Sequence, residues 1–182
     1  MYLGYQGDKI KFYTADPLDS VLYNLDRTVE TEDEYVLDGD EYILKDAEYI
    51  ARILREAKEA KYNEANEGAV QYLQGEALYE FDEEKHIEAT DGNIAKFTAY
   101  ALAFVTGQLQ PEDTVVWNTK EDETVELTQV QIVDILNGLG QVQAAVWAVK
   151  FPYYVGLIEA AATKEEVDAI VIDYSVNPPV EE

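Results

Sequence analysis

Ala77-Leu-Tyr-Glu-Phe-Asp-Glu-Glu-Lys-His-Ile-Glu-Ala-Thr-Asp-Gly-Asn-Ile94 decides the fold class, because strand and helix signals meet in it within eighteen residues. Ala77–Phe81 alternates apolar and polar as a half-buried strand does, and His86–Ala89 returns from the charged turn Asp82–Lys85. Asp91-Gly-Asn93 then reads as a turn and helix cap, and Ile94 to Val105 reads as helix. Its apolar residues Ile94, Phe97, Ala101, Leu102, Phe104 and Val105 are spread widely enough to predict a largely buried element. Gly107 stops it. A hairpin feeding a helix is the unit of an α+β fold.

Downstream the unit repeats. Thr114-Val-Val-Trp-Asn118 and Thr124-Val-Glu-Leu127 form a second hairpin around the acidic turn Lys120–Glu123, and Thr128 caps the longest helix, expected over 128–150. Val130, Val133, Ile135, Leu136, Leu139, Val142, Val146 and Trp147 are read as its inward face. Gly138 and Gly140 lie mid-helix, where glycine costs stability, which predicts close packing against another backbone. The nearly uncharged run Val130–Leu157 contains Asp134, Lys150, Pro152 and several Gln, and is read as a buried helix and not a membrane span. Pro152 predicts a bend or restart. Thr163-Lys-Glu-Glu166 predicts a capping box for a short helix over 164–169. Ile170–Tyr174 is expected as a strand, and Asn177–Glu182 as an extended tail.

Upstream, Lys9–Tyr13 alternates as a strand, and Pro17 with Asp19-Ser20 marks a loop. Glu34-Tyr-Val-Leu-Asp-Gly-Asp-Glu-Tyr-Ile-Leu44 places two copies of Glu-Tyr-aliphatic-Leu around Asp38-Gly39, a tight-hairpin signal. Asp46 caps a helix from Ala47 to about Ala65, which Asn66-Glu-Gly68 is expected to break. Three regions result: a small β-hairpin-rich N-terminal module (1–45), a linking helix (46–66), and a C-terminal α+β domain of two hairpins packed on helices (67–182). The linking helix has a narrow stripe of Ile50, Ile53, Leu54, Ala57 and Ala60. Such a stripe needs a neighbour or copies of itself, which makes a short coiled coil and a homo-oligomer, a trimer included, an expectation.

Thirteen Lys and Arg face 38 Asp and Glu, a net charge of −25. Nucleic acid is excluded as a partner, since phosphate binding depends on basic side chains; an anionic membrane surface is excluded on the same sign argument. No cysteine is present, which removes disulfides, thiolate metal sites and cysteine nucleophiles. His86 is the single histidine, so neither a histidine-based zinc site nor a histidine triad can be assembled. The acids gather in turns, where solvation is the default, and neither Gly39 nor Gly92 carries the oxygen-ligand spacing of an EF-hand. Phosphate-cradling glycine motifs are absent. No catalytic residue, cofactor or metal is expected. Trp147, Phe151, Tyr153 and Tyr154 form the densest aromatic cluster, and core packing competes there with an interface anchor.

Gly68 to Tyr174 resembles an uncharacterised domain found near the C-terminal ends of phage and prophage tail-fibre and tail-fibre-assembly proteins. The residues that carry the resemblance are the strand pair Ala77–Phe81 and His86–Ala89, the helix Asn93–Ala103, and the short strand Val115-Val-Trp117 with its acidic turn. Val125-Glu-Leu-Thr128 then opens a long helix, and Leu157–Val167 resembles the family's ending. The resemblance implies a setting in tail machinery, with other tail and fibre proteins as partners and the virion as location. It implies no catalytic residues. Three alternatives stay open: a tail-fibre assembly chaperone that leaves the particle, an acidic DNA mimic inhibiting a host protein, and a carbohydrate- or receptor-binding module.

Overall fold

The computed structural model describes residues 1–18, 23 and 25–179. The expected loop at Asp19-Ser20 and the last three residues of the tail lie outside the described residues. The fold is α+β, with small antiparallel sheets and five α-helices among the described residues. The chain divides into two compact units, Met1–Ala57 and Lys58–Glu182.

In the first unit, β1 (Tyr2–Gln6), β2 (Lys9–Thr14) and β3 (Arg27–Glu30) form a three-stranded sheet of order β2-β1-β3. A second hairpin pairs β4 (Tyr35–Asp38) with β5 (Glu41–Leu44), placing Val36 opposite Ile43 and Leu37 opposite Tyr42. Its turn is Gly39-Asp40, and Gly39 takes φ +65°, a left-handed conformation that glycine adopts without steric cost. The repeated Glu-Tyr-aliphatic-Leu pattern therefore pairs as the sequence predicts. Tyr13 of β2 packs against Tyr35 and Tyr42 at ring separations of 5.5 and 6.0 Å, and the Lys11 ammonium donates to Asp40. Among the described residues of this unit, Leu3 and Leu25 are the buried apolar side chains, supplemented by half-buried tyrosines.

Helix α1 (Ala47–Gly75) begins at the predicted cap, where Asp46 Oδ1 accepts from the Tyr49 N–H at 2.8 Å. It does not break at Asn66-Glu-Gly68. Ala65, Ala69 and Leu73 continue one buried stripe at four-residue spacing, and burying that stripe outweighs the local cost of one glycine. Gly68 faces Tyr174, whose ring lies 3.4 Å from where a Cβ would sit, so this glycine is a packing position within a helix.

In the second unit, β6 (Leu78–Asp82) pairs with β7 (Lys85–Glu88), and β8 (Val115–Asn118) with β9 (Thr124–Leu127). Helix α2 (Asp91–Val105) starts three residues earlier than predicted because Thr90, and not the Asp-Gly-Asn turn, is the cap: its Oγ1 accepts from the Asn93 N–H. Phe97 is fully buried against Trp117 at 4.6 Å between rings. Leu102 and Val105 are exposed instead of buried, because the width of apolar sequence exceeds the width of the helix face that has a neighbour.

Helix α3 (Gln129–Ala145) opens with a complete capping box between Thr128 and Gln131. The predicted continuous helix to 150 instead passes through a π-helical turn, Val146–Lys150, into α4 (Phe151–Ala160), with Pro152 in the first turn of α4. A widened turn frees the backbone group that proline cannot satisfy. The run Gln129–Ala160 is long and apolar enough to cross a membrane by length and composition, yet only 28 % of its most apolar window is buried. The expectation of a buried helix therefore holds for one face alone. Ile132, Ile135, Leu139 and Val146 face the core, whereas Val130, Val133 and Trp147, all expected inward, are exposed. Gly138 packs against the ring of Tyr79 and not against a backbone.

Helix α5 (Lys164–Asp168) has the Thr163 cap, but the Glu166 carboxylate accepts from the Ala162 N–H, one residue outside the predicted box. Ile170–Tyr174 forms no strand. Its backbone is held by side chains: Lys61 donates to the Ile170 carbonyl, Tyr154 bonds both the Asp173 carbonyl and the Asp173 N–H, and Lys150 donates to the Tyr174 carbonyl.

Candidate interaction surface

The eight residues expected to mediate interaction fall into two sets in different units. Ile53, Leu54 and Ala57 of α1 are half-buried, and Ile50 keeps 52 % of its surface exposed. Ala60, the last position of that stripe, is exposed. The stripe is therefore exposed at both ends, with Ile50 its large exposed apolar side chain. Beside it a groove of ≈ 430 Å³ is lined by Leu44, Tyr49, Arg52 and Arg55 among others. Arg52 is paired with Glu56 and stacks over Tyr49.

The second set, Trp147, Phe151, Tyr153 and Tyr154, is brought together by the π turn and α4. Phe151 meets Trp147 and Tyr62 edge-on, each at 5.5 Å, and Tyr154 meets Tyr153 and Tyr174 edge-on, each at 5.3 Å. Tyr154 is buried, Phe151 and Tyr153 are half-buried, and Trp147 keeps 39 % of its surface exposed. Most of this cluster is core. Trp147 alone offers a large apolar surface outward.

Sequence reasoning missed the group that organises this end of the molecule. Lys150 is 7 % exposed; its ammonium donates to the Tyr174 carbonyl at 2.5 Å and lies 5.4 Å from the centre of the Tyr72 ring. Burial pushes the Lys150 pKa down, opposed by the nearby Asp173 carboxylate. Burial also pushes the Tyr174 phenol up to about 12, and its hydroxyl donates to the Ala65 carbonyl at 2.8 Å. Hydrogen bonds from the Ser175 hydroxyl and N–H hold Asp173 below the usual carboxylate range. The signal was present in the sequence as a lone cation inside an apolar run. The lysine, held on a peptide carbonyl, fastens the C-terminal segment. A groove of ≈ 300 Å³ lies between α4 and that segment, lined by Tyr153, Leu157, Val171, Val176 and Pro178 among others.

His86 takes part in a second polar node, which ties the two hairpins together. Its Nδ1 lies 2.8 Å from Glu121 Oε1, its N–H donates to Glu121 Oε2, and its carbonyl accepts from the Lys120 N–H. The backbone N–H of His86, more than its ring, lowers the Glu121 carboxyl to about 2. Lys120 in turn is paired with Glu88, which raises its pKa. Among the described residues no group of three or more His, Cys, Asp or Glu side chains is placed to hold a metal ion.

The remaining feature is the outer face of α3. Val130 (69 % exposed), Val133 (41 %), Asn137, Gly140, Gln141, Ala144 and Ala145 all face outward, and Asp134 is the single charge in the helix. Exposed helix faces in an acidic protein normally carry charged side chains. This one does not, and in a chain of net charge −25 that makes it the clearest candidate for a protein-binding face. No protein-family model, no curated protein and no solved structure matches this chain.

Proposed function

We propose that this chain is a bacteriophage tail-associated structural or assembly protein that works by binding other proteins and carries no catalytic centre. The observation that carries the reading is the uncharged, exposed face of α3 in a chain otherwise covered with carboxylates. Uncharged helix surface of this kind is stabilised by a protein neighbour, while the surrounding acids keep unassembled subunits apart. The resemblance of Gly68–Tyr174 to a domain of tail-fibre and tail-fibre-assembly proteins supplies the setting. Lys150, Tyr174 and Glu121, three of the groups whose pKa values are displaced, are engaged in fastening backbone segments, which supports binding over chemistry.

The test is recovery of the tagged full chain from infected or induced cells, with purified particles analysed in parallel. Recovery in particles, or with tail and fibre proteins, is the expected result. Capture of a host nuclease or polymerase, with no tail protein present, would overturn it in favour of the DNA-mimic alternative.

A further inference from the structure

The two glycines of α3 differ in what surrounds them. A Cβ at Gly138 would lie 2.1 Å from the Tyr79 ring, so this glycine is explained within the chain. A Cβ at Gly140 would meet nothing within 4 Å, so nothing inside the chain explains why a helix centre gives up stability there. Gly140 belongs to an outward row, Val130, Val133, Asn137, Gly140 and Ala144, whose steps of three and four residues are those of a coiled-coil seam. Trp147, one step further, lines a small cavity together with Val70 and Leu73 and keeps 39 % of its surface outward. The row runs for about 25 Å at 1.5 Å per residue.

We propose that this seam pairs with the same seam of a second copy of the chain, in antiparallel orientation. The pairing rests on the reading of this face as protein-binding and adds the partner. Two arguments select a second copy running antiparallel. First, of the two unstaggered pairings, the antiparallel one matches side-chain sizes. Antiparallel packing sets Val130 opposite Trp147, Val133 opposite Ala144 and Asn137 opposite Gly140, so each small residue meets a larger one. Parallel packing would set Gly140 against Gly140 and Ala144 against Ala144, leaving a gap, and would oppose Asp134 to its own copy. Second, two chains of net charge −25 repel wherever their carboxylates approach, and the α3 seam, carrying only Asp134, is where that opposition is least.

The charge argument sets the salt dependence. Association of like-charged copies through an uncharged seam tightens as salt screens the repulsion, whereas docking of a basic partner would weaken. Sedimentation of the full chain across concentration, at low salt and at roughly 0.5 M salt, should therefore show the mass doubling more readily in high salt. Gly140→Leu and Ala144→Glu should each abolish the doubling while leaving the monomer folded by circular dichroism, with Gly140→Leu melting no lower than the natural chain, since both sites are exposed. The chain has no cysteine, so introduced thiols report orientation without background. The double variant Asn137→Cys, Gly140→Cys should cross-link into dimers under mild oxidation, and Val133→Cys should not.

A chain that stays monomeric in both salts would overturn the pairing, as would a dimer indifferent to Gly140→Leu and Ala144→Glu. Cross-linking through Val133→Cys would mean parallel strands and would equally overturn it. So would flotation of a monomeric chain with phosphatidylcholine vesicles, which would assign the face to lipid. A monomer still recovered in tail particles would sink the pairing and leave the function standing. A seam-dependent dimer absent from particles and from tail proteins would do the reverse.

Discussion

Helices α1 and α3 both present long faces to solvent, and they are written in different alphabets. Over its 29 residues α1 carries Glu48, Arg52, Arg55, Glu56, Lys58, Glu59, Lys61, Glu64 and Glu67, several of them paired at helical spacing or donating to carbonyls. Over its 17 residues α3 carries Asp134 alone. A helix whose outer face meets only water gains solubility and a little stability from charges. On the pairing proposed above, exposure has two meanings: α1 is exposed to water, and α3 is exposed for a neighbour.

The largest expected effect separates the two faces of α3 itself. Ile132→Ala removes a fully buried side chain and should cost about 2–5 kcal/mol in urea unfolding, whereas Val130→Ala should stay within about 0.5 kcal/mol. Equal costs would erase the distinction between an inner and an outer face. The glycines give a smaller contrast of opposite sign. Gly138→Ala collides with Tyr79 and should destabilise by about 1–3 kcal/mol, while Gly140→Ala, with open space around it, should stabilise the monomer by about 1 kcal/mol. Loss of stability in Gly140→Ala would mean that the glycine is required within the chain.

Acid sharpens the comparison further. Glu121, with a folded pKa of about 2 against an ordinary 4.5, contributes stability that is present above about pH 4.5 and is lost as pH falls towards 2. The melting temperature of Glu121→Gln should therefore lie below that of the natural chain at neutral pH and converge with it near pH 2. The smallest expected effect is Ile50→Ala on α1, about 0.5 kcal/mol or less with no change in oligomeric state. A dimer that disappears in this variant would move the interface from α3 to α1.

Local chemistry was legible in the sequence. Asp46, Thr128 and Thr163 cap helices as their residue types require, and the hairpin expected around Asp38-Gly39 forms, its turn one residue later at Gly39-Asp40. Facing was not legible. In α3 the row Val130, Val133 and the row Ile132, Ile135, Leu139 both satisfy helical spacing, and which one turns inward depends on α2 and β6, elements remote in sequence. The break expected at Gly68 failed for the same reason, since Tyr174 lies more than a hundred residues away along the chain. The aromatic cluster is legible in the sequence, but the role of Lys150 is not: the sequence shows it only as a charge that argues against a membrane span.

The fastening of Ile170–Tyr174 by Lys61, Lys150 and Tyr154 has a consequence for how the chain avoids unwanted company. An extended segment of this composition, paired in a ladder, would show a neighbouring molecule a row of unsatisfied amides on which further strands could grow. Anchored instead by amine and phenol groups at separate points, it closes the domain without offering a template for fibre formation.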